Sequence, residues 1–282
     1  DLVDVRHTET LSATELRRYL FEANQIDSHG GLMMIRANVP GPVFDMLEAF
    51  RKNSPAFKQL VAEHHFIDTY RAAAVPLAQR PVGQAAGALR RTPAPSLESA
   101  LGNLVADAQL HATRAPEQGG AQLSLMNPGG LRADLVPDDQ GLVRYGQLYA
   151  VQPFGNQLVV KTFTGAQIKA ALEQQFASGS NTVQRPRVLL VSAGFSYRYD
   201  LTQPVGARIS HMVLNGTPLR DDAQVRVVMS SYLDSGGDNF TVLAEGRDRL
   251  VGGLDLDALE AYFRAHSPVP VPATDRITRG AR

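Results

Sequence analysis

Leu158-Val-Val-Lys-Thr-Phe-Thr-Gly-Ala-Gln-Ile-Lys-Ala-Ala-Leu-Glu-Gln-Gln-Phe176 decides how the chain is read. Leu158–Phe163 has strand composition, and Thr164-Gly165 then opens a helix over Ala166–Phe176 with Ile168, Ala171 and Leu172 on one face. Downstream, Val188–Ser192, Phe195–Asp200, Ile209–Leu214 and Val225–Ser230 read as four further strands, three of them rich in β-branched residues. Upstream, a helix over Leu97 to about His111 precedes a short apolar strand, Gln122–Met126, which runs into Asn127-Pro-Gly-Gly130. A closing helix over Leu256–Ala265 leads to an extended tail at Pro268–Pro272. Helices interleaved with mostly hairpin-connected strands predict an α+β fold, a mixed β-sheet with flanking helices.

The part before this region has a different character. Phe57, Leu60, Val61, His64, Ile67, Tyr70 and Val75 fall roughly at helical spacing between Pro55 and Pro76, which predicts a long linker helix over 55–80. Residues 1–54 hold one capped-helix signature, Ser12 with Glu15, and Gly/Pro punctuation that assigns them to no domain. The expected organisation is an unassigned segment 1–54, a linker helix 55–80 and a domain 81–282.

Composition narrows the function. The 282 residues are 44% hydrophobic and 20% charged, an ordinary globular balance. Lys+Arg and Asp+Glu are both 28, so the neutral chain has no general electrostatic reason to seek a nucleic acid polymer or an anionic membrane. An anionic ligand has to be met by locally placed arginines. The absence of cysteine excludes disulfides, thiolate nucleophiles and Cys-ligated zinc. No apolar run is long enough to span a membrane, and the opening Asp-Leu-Val-Asp-Val-Arg reads as a mature or truncated end.

Four loops follow strands or sit in tight turns. Asn127-Pro-Gly-Gly-Leu-Arg132 offers paired glycines for close backbone approach and an arginine that can fork onto oxygens; a plain turn with a surface arginine is the alternative. Gln152-Pro-Phe-Gly-Asn156 holds Phe154 in a turn where it is hard to bury, which suits stacking on a planar group; a core-plugging Phe is the alternative. Gly194, in Ser192-Ala-Gly-Phe, permits a bulge or a close ligand approach. Tyr232-Leu-Asp-Ser-Gly-Gly-Asp238 combines an aromatic ring, a Gly pair and a carboxylate able to accept from vicinal hydroxyls; a calcium-like or plain turn sequence is the alternative. Together they describe a site for a planar base carrying a polyol and an anion.

Residues from about Val75 to Thr278 resemble the C-terminal, substrate-binding domain of the 5′-nucleotidase family. The resemblance rests on Leu101-Gly-Asn-Leu-Val-Ala-Asp107, Asn127–Arg132, Gln152–Asn156, Thr164-Gly-Ala-Gln-Ile-Lys169, Leu190-Val-Ser-Ala-Gly194 and Ser235-Gly-Gly-Asp238, in the family's order. It implies a nucleotide or nucleoside site in which the base lies between Phe154 and Tyr232. It further implies that Asp238 takes the ribose hydroxyls, Asn127 and Asn156 touch base or sugar, Arg132 reaches ribose or phosphate, and Arg91 is another of the family's arginines. Three departures stand out: Pro95 replaces a second arginine, Tyr232 replaces the commoner Phe, and Pro128 enters the glycine turn.

In that family hydrolysis belongs to an N-terminal metallophosphatase domain with two divalent metal ions, which activate water and clamp phosphoryl oxygens. Of its ligand motifs only Asp27-Ser-His29 offers a match, and it follows an expected helix rather than a strand, which reads as a chance occurrence. His64-His65 are adjacent on an expected helix and so point about 100° apart, unsuited to one metal. The expectation is therefore a hydrolase's recognition part, inactive alone, with no cofactor of its own, and periplasmic or extracellular. The rivals are a stand-alone nucleoside-binding domain, a vestigial scaffold, or a sister enzyme acting on sulfur conjugates, cyclic nucleotides or nucleotide sugars.

Overall fold

The computed structural model describes residues 74–280. Residues 1–54, with Asp27 and His29, lie outside the described residues, as do His64 and His65. Of the helix expected over 55–80, only the part from 74 is described, and 74–78 are helical.

In chain order the domain begins with β1 (Pro81–Gln84), α1 (Ala100–Thr113), β2 (Leu123–Met126), β3 (Leu142–Arg144) and α2 (Tyr145–Val151). It continues through β4 (Gln157–Thr164), α3 (Gly165–Glu173), β5 (Ala177–Ser178), β6 (Asn181–Thr182), β7 (Leu190–Val191), β8 (Phe195–Tyr199), β9 (Ile209–Leu214) and β10 (Thr217–Pro218). It closes with β11 (Gln224–Ser230), α4 (Ser231–Asp234), β12 (Arg247–Leu254), α5 (Asp255–His266) and β13 (Ile277–Arg279). A five-stranded sheet has the order β12-β4-β11-β2-β7, and a four-stranded sheet the order β10-β9-β8-β13. Parallel pairs (β11 with β2, β13 with β8) occur beside antiparallel ones, so the sheets are mixed, as expected.

Side-chain alternation along the central strands builds a core on each face of the larger sheet. Val225, Val227 and Met229 of β11 and Leu123 and Leu125 of β2 pack with Ile168, Leu172 and Phe176 and with Phe195, Tyr197 and Tyr199 of the second sheet. On the opposite face Val228, Leu158 and Val160 meet Leu110 and Ala258, while Leu101, Leu104 and Val105 of α1 pack with Leu259 and Phe263 of α5.

Local chemistry explains where elements start. Thr164 and Gln167 form a capping box, and α3 begins at Gly165, where an added Cβ would stand 2.1 Å from the Arg220 carbonyl oxygen. The first long helix begins at Ala100 rather than Leu97, because Leu97 has φ 68° and Ser99 Oγ caps Gly102 N at 3.2 Å. The strand expected over Val188–Ser192 narrows to Leu190–Val191, the residues that register with β2. The tail does more than extend: Val269 joins the Gln84 and Ala86 backbones, and Ile277–Arg279 then pairs parallel with β8.

Candidate functional site

Strand direction selects which loops meet. The parallel neighbours β2 and β11 deliver Asn127 and the Ser231–Asn239 stretch to the same end of the sheet. β4 runs antiparallel to β11, with Leu158 opposite Ser230, so the turn at residues 152–156 starts from that end too. β7 runs antiparallel to β2, with Leu190 opposite Met126, and its entry, Arg187, arrives there as well.

The same reversal carries Gly194 away. Ser192 is level with Ser124, and the turn beyond it rests on other supports: Ala193 N donates to Asp107 Oδ1 at 2.7 Å, and Asn215 N to the Gly194 carbonyl at 2.7 Å. Gly194 has φ 88°, and an added Cβ would stand 2.4 Å from Asn215 Oδ1. Its glycine is thus accounted for by the hairpin and not by the loop cluster around Asn127.

Asp238 is the centre of that cluster. Its Oδ1 accepts from Arg187 Nη1 at 2.7 Å and from the Tyr232 hydroxyl at 3.1 Å, and its Oδ2 accepts from Asn127 Nδ2 at 2.8 Å. The Asp238 backbone N–H returns to the Tyr232 hydroxyl oxygen at 3.1 Å, so ring and carboxylate are joined twice. Gly237 lies against the same ring: a Cβ there would approach Tyr232 Cε1 to 2.6 Å and the Tyr232 carbonyl oxygen to 2.5 Å. Tyr232 nevertheless stays 46% exposed, leaving ring surface free to stack.

The backbone of this loop is strained. Asp238 and Asn239 are consecutive left-handed residues, φ 54° and 65°, at a cost on the order of 1 kcal/mol each. The β5–β6 hairpin holds them. Asn181 Nδ2 donates to the Asp238 carbonyl at 2.7 Å, Ser178 Oγ to the Asn239 carbonyl at 2.7 Å, and Asn239 Nδ2 to Ser180 Oγ at 3.0 Å.

A buried ion pair anchors the loop from the sheet side. Lys161, on β4, reaches Asp234 Oδ1 at 2.5 Å and donates to the Leu243 and Ala244 carbonyls at 3.2 and 3.1 Å. Arg249 Nε adds a bond to Asp234 Oδ2 at 2.9 Å. Burial on its own would raise the Asp234 carboxyl, but the hydrogen bonds from Arg249 and Lys161 outweigh it and hold the group below the usual carboxylate range.

Phe154 is 56% exposed beside Gly155, whose φ is 63°. Arg132 links it to the rest: its guanidinium carbon lies 5.7 Å from the Phe154 ring centroid, and its Nη1 donates to the Gly129 carbonyl at 3.4 Å. Gly129 in turn faces Asp238, its missing Cβ lying 3.4 Å from Oδ2. Arg91 stands beside the same turn, donating from Nη1 to the Leu131 carbonyl at 3.2 Å. The Arg91 backbone N–H, with its guanidinium, holds the Asp134 carboxyl below its usual range.

Asn156 turns elsewhere. Its Nδ2 donates to Asp255 Oδ2 at 3.1 Å, and its carbonyl accepts from Asp255 N at 2.9 Å, so it ties the turn to the start of α5. Burial pushes the Asp255 carboxyl up, against that bond. The structure therefore brings the loops bearing Asn127 and Arg132, Phe154, and Tyr232 and Asp238 to one end of the sheet, with Arg91 beside the first of them. Arg187, Asn181, Lys161 and Asp234 join them without having been singled out in sequence. Among the described residues no three His, Asp or Glu groups come together to hold a metal ion.

The 5′-nucleotidase, C-terminal domain family matches residues 81–245. The trifunctional nucleotide phosphoesterase protein of Bacillus subtilis (strain 168) is 35% identical over 154 residues, covering 52% of this chain and 10% of that protein. A cell wall protein of Listeria monocytogenes serovar 1/2a (strain ATCC BAA-679 / EGD-e) is 33% identical over 168 residues, covering 57% of this chain and 20% of its own length. Among solved structures, the 5′-nucleotidase precursor from Thermus thermophilus superposes with a TM-score of 0.66 at 32% identity. That match covers 79% of this chain and 44% of the other. The chain thus spans less than half the length of each of these relatives.

Proposed function

The chain belongs to the 5′-nucleotidase family through its C-terminal domain, and on that premise we propose that it recognises the nucleoside part of a nucleotide. The base stacks between Phe154 and Tyr232, the ribose meets Asp238, and Arg132 and Arg91 face the phosphate side. The observation that carries this reading is the double link between the Tyr232 hydroxyl and Asp238, which sets an exposed ring and a carboxylate in fixed relation. A nucleoside offers the matching pair, a planar face and, on the attached sugar, a vicinal diol.

Each group then has a distinct task. The rings exclude water from both faces of the base, worth about 1–3 kcal/mol per stacked contact. Asp238 accepts from a hydroxyl that water would otherwise satisfy, and the buried Asn127 holds its Oδ2 in place with a hydrogen bond. Arg132 supplies a cation next to the stacking face.

Hydrolysis would fall to a metallophosphatase domain of the full-length protein, with its two divalent metal ions. The described residues hold no cluster fitted to such ions, so no chemical step is assigned to them. We place the assembled protein outside the cytoplasm, periplasmic or extracellular. A relative described as a cell wall protein supports that placement, and no described helix is long and apolar enough to cross a membrane. The test separates the two ends of the ligand: Arg132→Ala should weaken AMP binding several-fold more than adenosine binding in calorimetric titration. Equal losses for both ligands would remove Arg132 from the phosphate side.

A further inference from the structure

Asp238 has less free capacity than a diol acceptor acting alone needs. An ionised carboxylate offers about four lone-pair positions. Here both positions on Oδ1 are taken, by Arg187 Nη1 and the Tyr232 hydroxyl, and one on Oδ2 is taken by Asn127 Nδ2. One position on Oδ2 is left, enough for a single hydroxyl.

Arg187 has the opposite character. Its guanidinium carries five N–H donors, and among the described residues its side chain bonds only to Asp238, through Nη1. The Arg187 side chain is 43% exposed, whereas that of Asp238 is 10% exposed. Both groups lie against Gly129, where a Cβ would stand 3.4 Å from Asp238 Oδ2 and 3.7 Å from Arg187 Nη1. Glycine at this position keeps a side chain from crowding the pair.

We propose that the ribose diol is read by Asp238 and Arg187 together, one hydroxyl donating to Asp238 Oδ2 and its neighbour accepting from the Arg187 guanidinium. This deepens, and rests on, the reading of the cluster as a nucleoside site. Both hydroxyls find charged partners of opposite sign, and neither Tyr232 nor Asn127 has to release the carboxylate. Each such charge-assisted bond stands to change affinity about tenfold or more.

The test is calorimetric titration of the full 282-residue chain with adenosine, 2′-deoxyadenosine and 3′-deoxyadenosine. In the wild type both deoxynucleosides should bind about tenfold more weakly than adenosine. In Arg187→Gln the penalty for removing one hydroxyl should shrink to within about twofold, while the penalty for the other persists. Arg187→Lys, which keeps the charge on a single-point donor, should recover part of the lost discrimination. It serves as the readout if the Gln variant proves unfolded.

If both penalties persist in full, Arg187 does not touch the sugar. If both vanish together, Arg187 only aligns Asp238. Either result overturns the paired reading and leaves the nucleoside site standing. Absence of saturable adenosine binding by the wild type would overturn the nucleoside reading, and the inference with it.

Discussion

Tyr232 shows how much one atom can alter a stacking residue. Its hydroxyl bonds both the carboxylate and the backbone N–H of Asp238, so the ring proposed to meet the base would also orient the proposed sugar contact. Tyr232→Phe should keep stacking and lose orientation: affinity for adenosine falls several-fold, while that for a deoxynucleoside changes less. Titration of both ligands checks it, and equal losses would count against the coupling. Gly237 belongs to the same argument. A methyl group there would meet the Tyr232 ring at 2.6 Å, so Gly237→Ala should displace the ring and cost nucleoside affinity, even where the unfolding midpoint moves little. The clustering residues Phe154, Tyr232, Asp238, Asn127 and Arg132 could be singled out in the sequence because each sits in a short motif with glycine or proline. Arg187 was not. Its role depends on β7 pairing antiparallel with β2, and no local pattern announces that register.

At the scale of elements, the buried Lys161–Asp234 pair joins the inner strand β4 to the loop that carries Tyr232 and Asp238. Lys161→Met leaves Asp234 with Arg249 alone and should destabilise the fold by about 2–3 kcal/mol, measured by urea unfolding. Folding lowers the Asp234 pKa, so the pair's contribution is present above the unfolded value, about 3.9, and fades as pH falls through the folded value. The Met variant should therefore differ most from the wild type at neutral pH and least in acid. A constant difference across that range would refute the assignment. Long stretches such as β4 with α3, or β11, were legible, since a near-continuous buried strand run or a helical face extends over several residues. The edge strand β12 was missed. Its Arg-Asp-Arg-Leu-Val-Gly-Gly-Leu has no alternation, because almost all of it is exposed and bulges interrupt its register with β4. The parallel return of β13 was missed for a similar reason: only long-range pairing with β8 makes Ile277–Arg279 a strand.

At the scale of the molecule, the proposed function makes the described domain one half of a division of labour. Its loops converge at one end of a mixed sheet, where rings, a carboxylate and arginines stand together, and its described residues carry no metal-ligating cluster. The chain spans 44% of the Thermus thermophilus 5′-nucleotidase precursor that it resembles, which leaves room in such a protein for a second, catalytic part. A phosphatase assay on this chain with added divalent metal should show no turnover of AMP, and chelator-sensitive turnover would place a metal site in residues 1–73. The central claim, a nucleoside held between two rings, is tested most directly by calorimetric titration with adenosine of the wild type, Phe154→Ala and Tyr232→Ala. The account predicts saturable binding that weakens by about 1–3 kcal/mol in each variant, with the unfolding midpoint little changed. Affinity unchanged in both variants would contradict it.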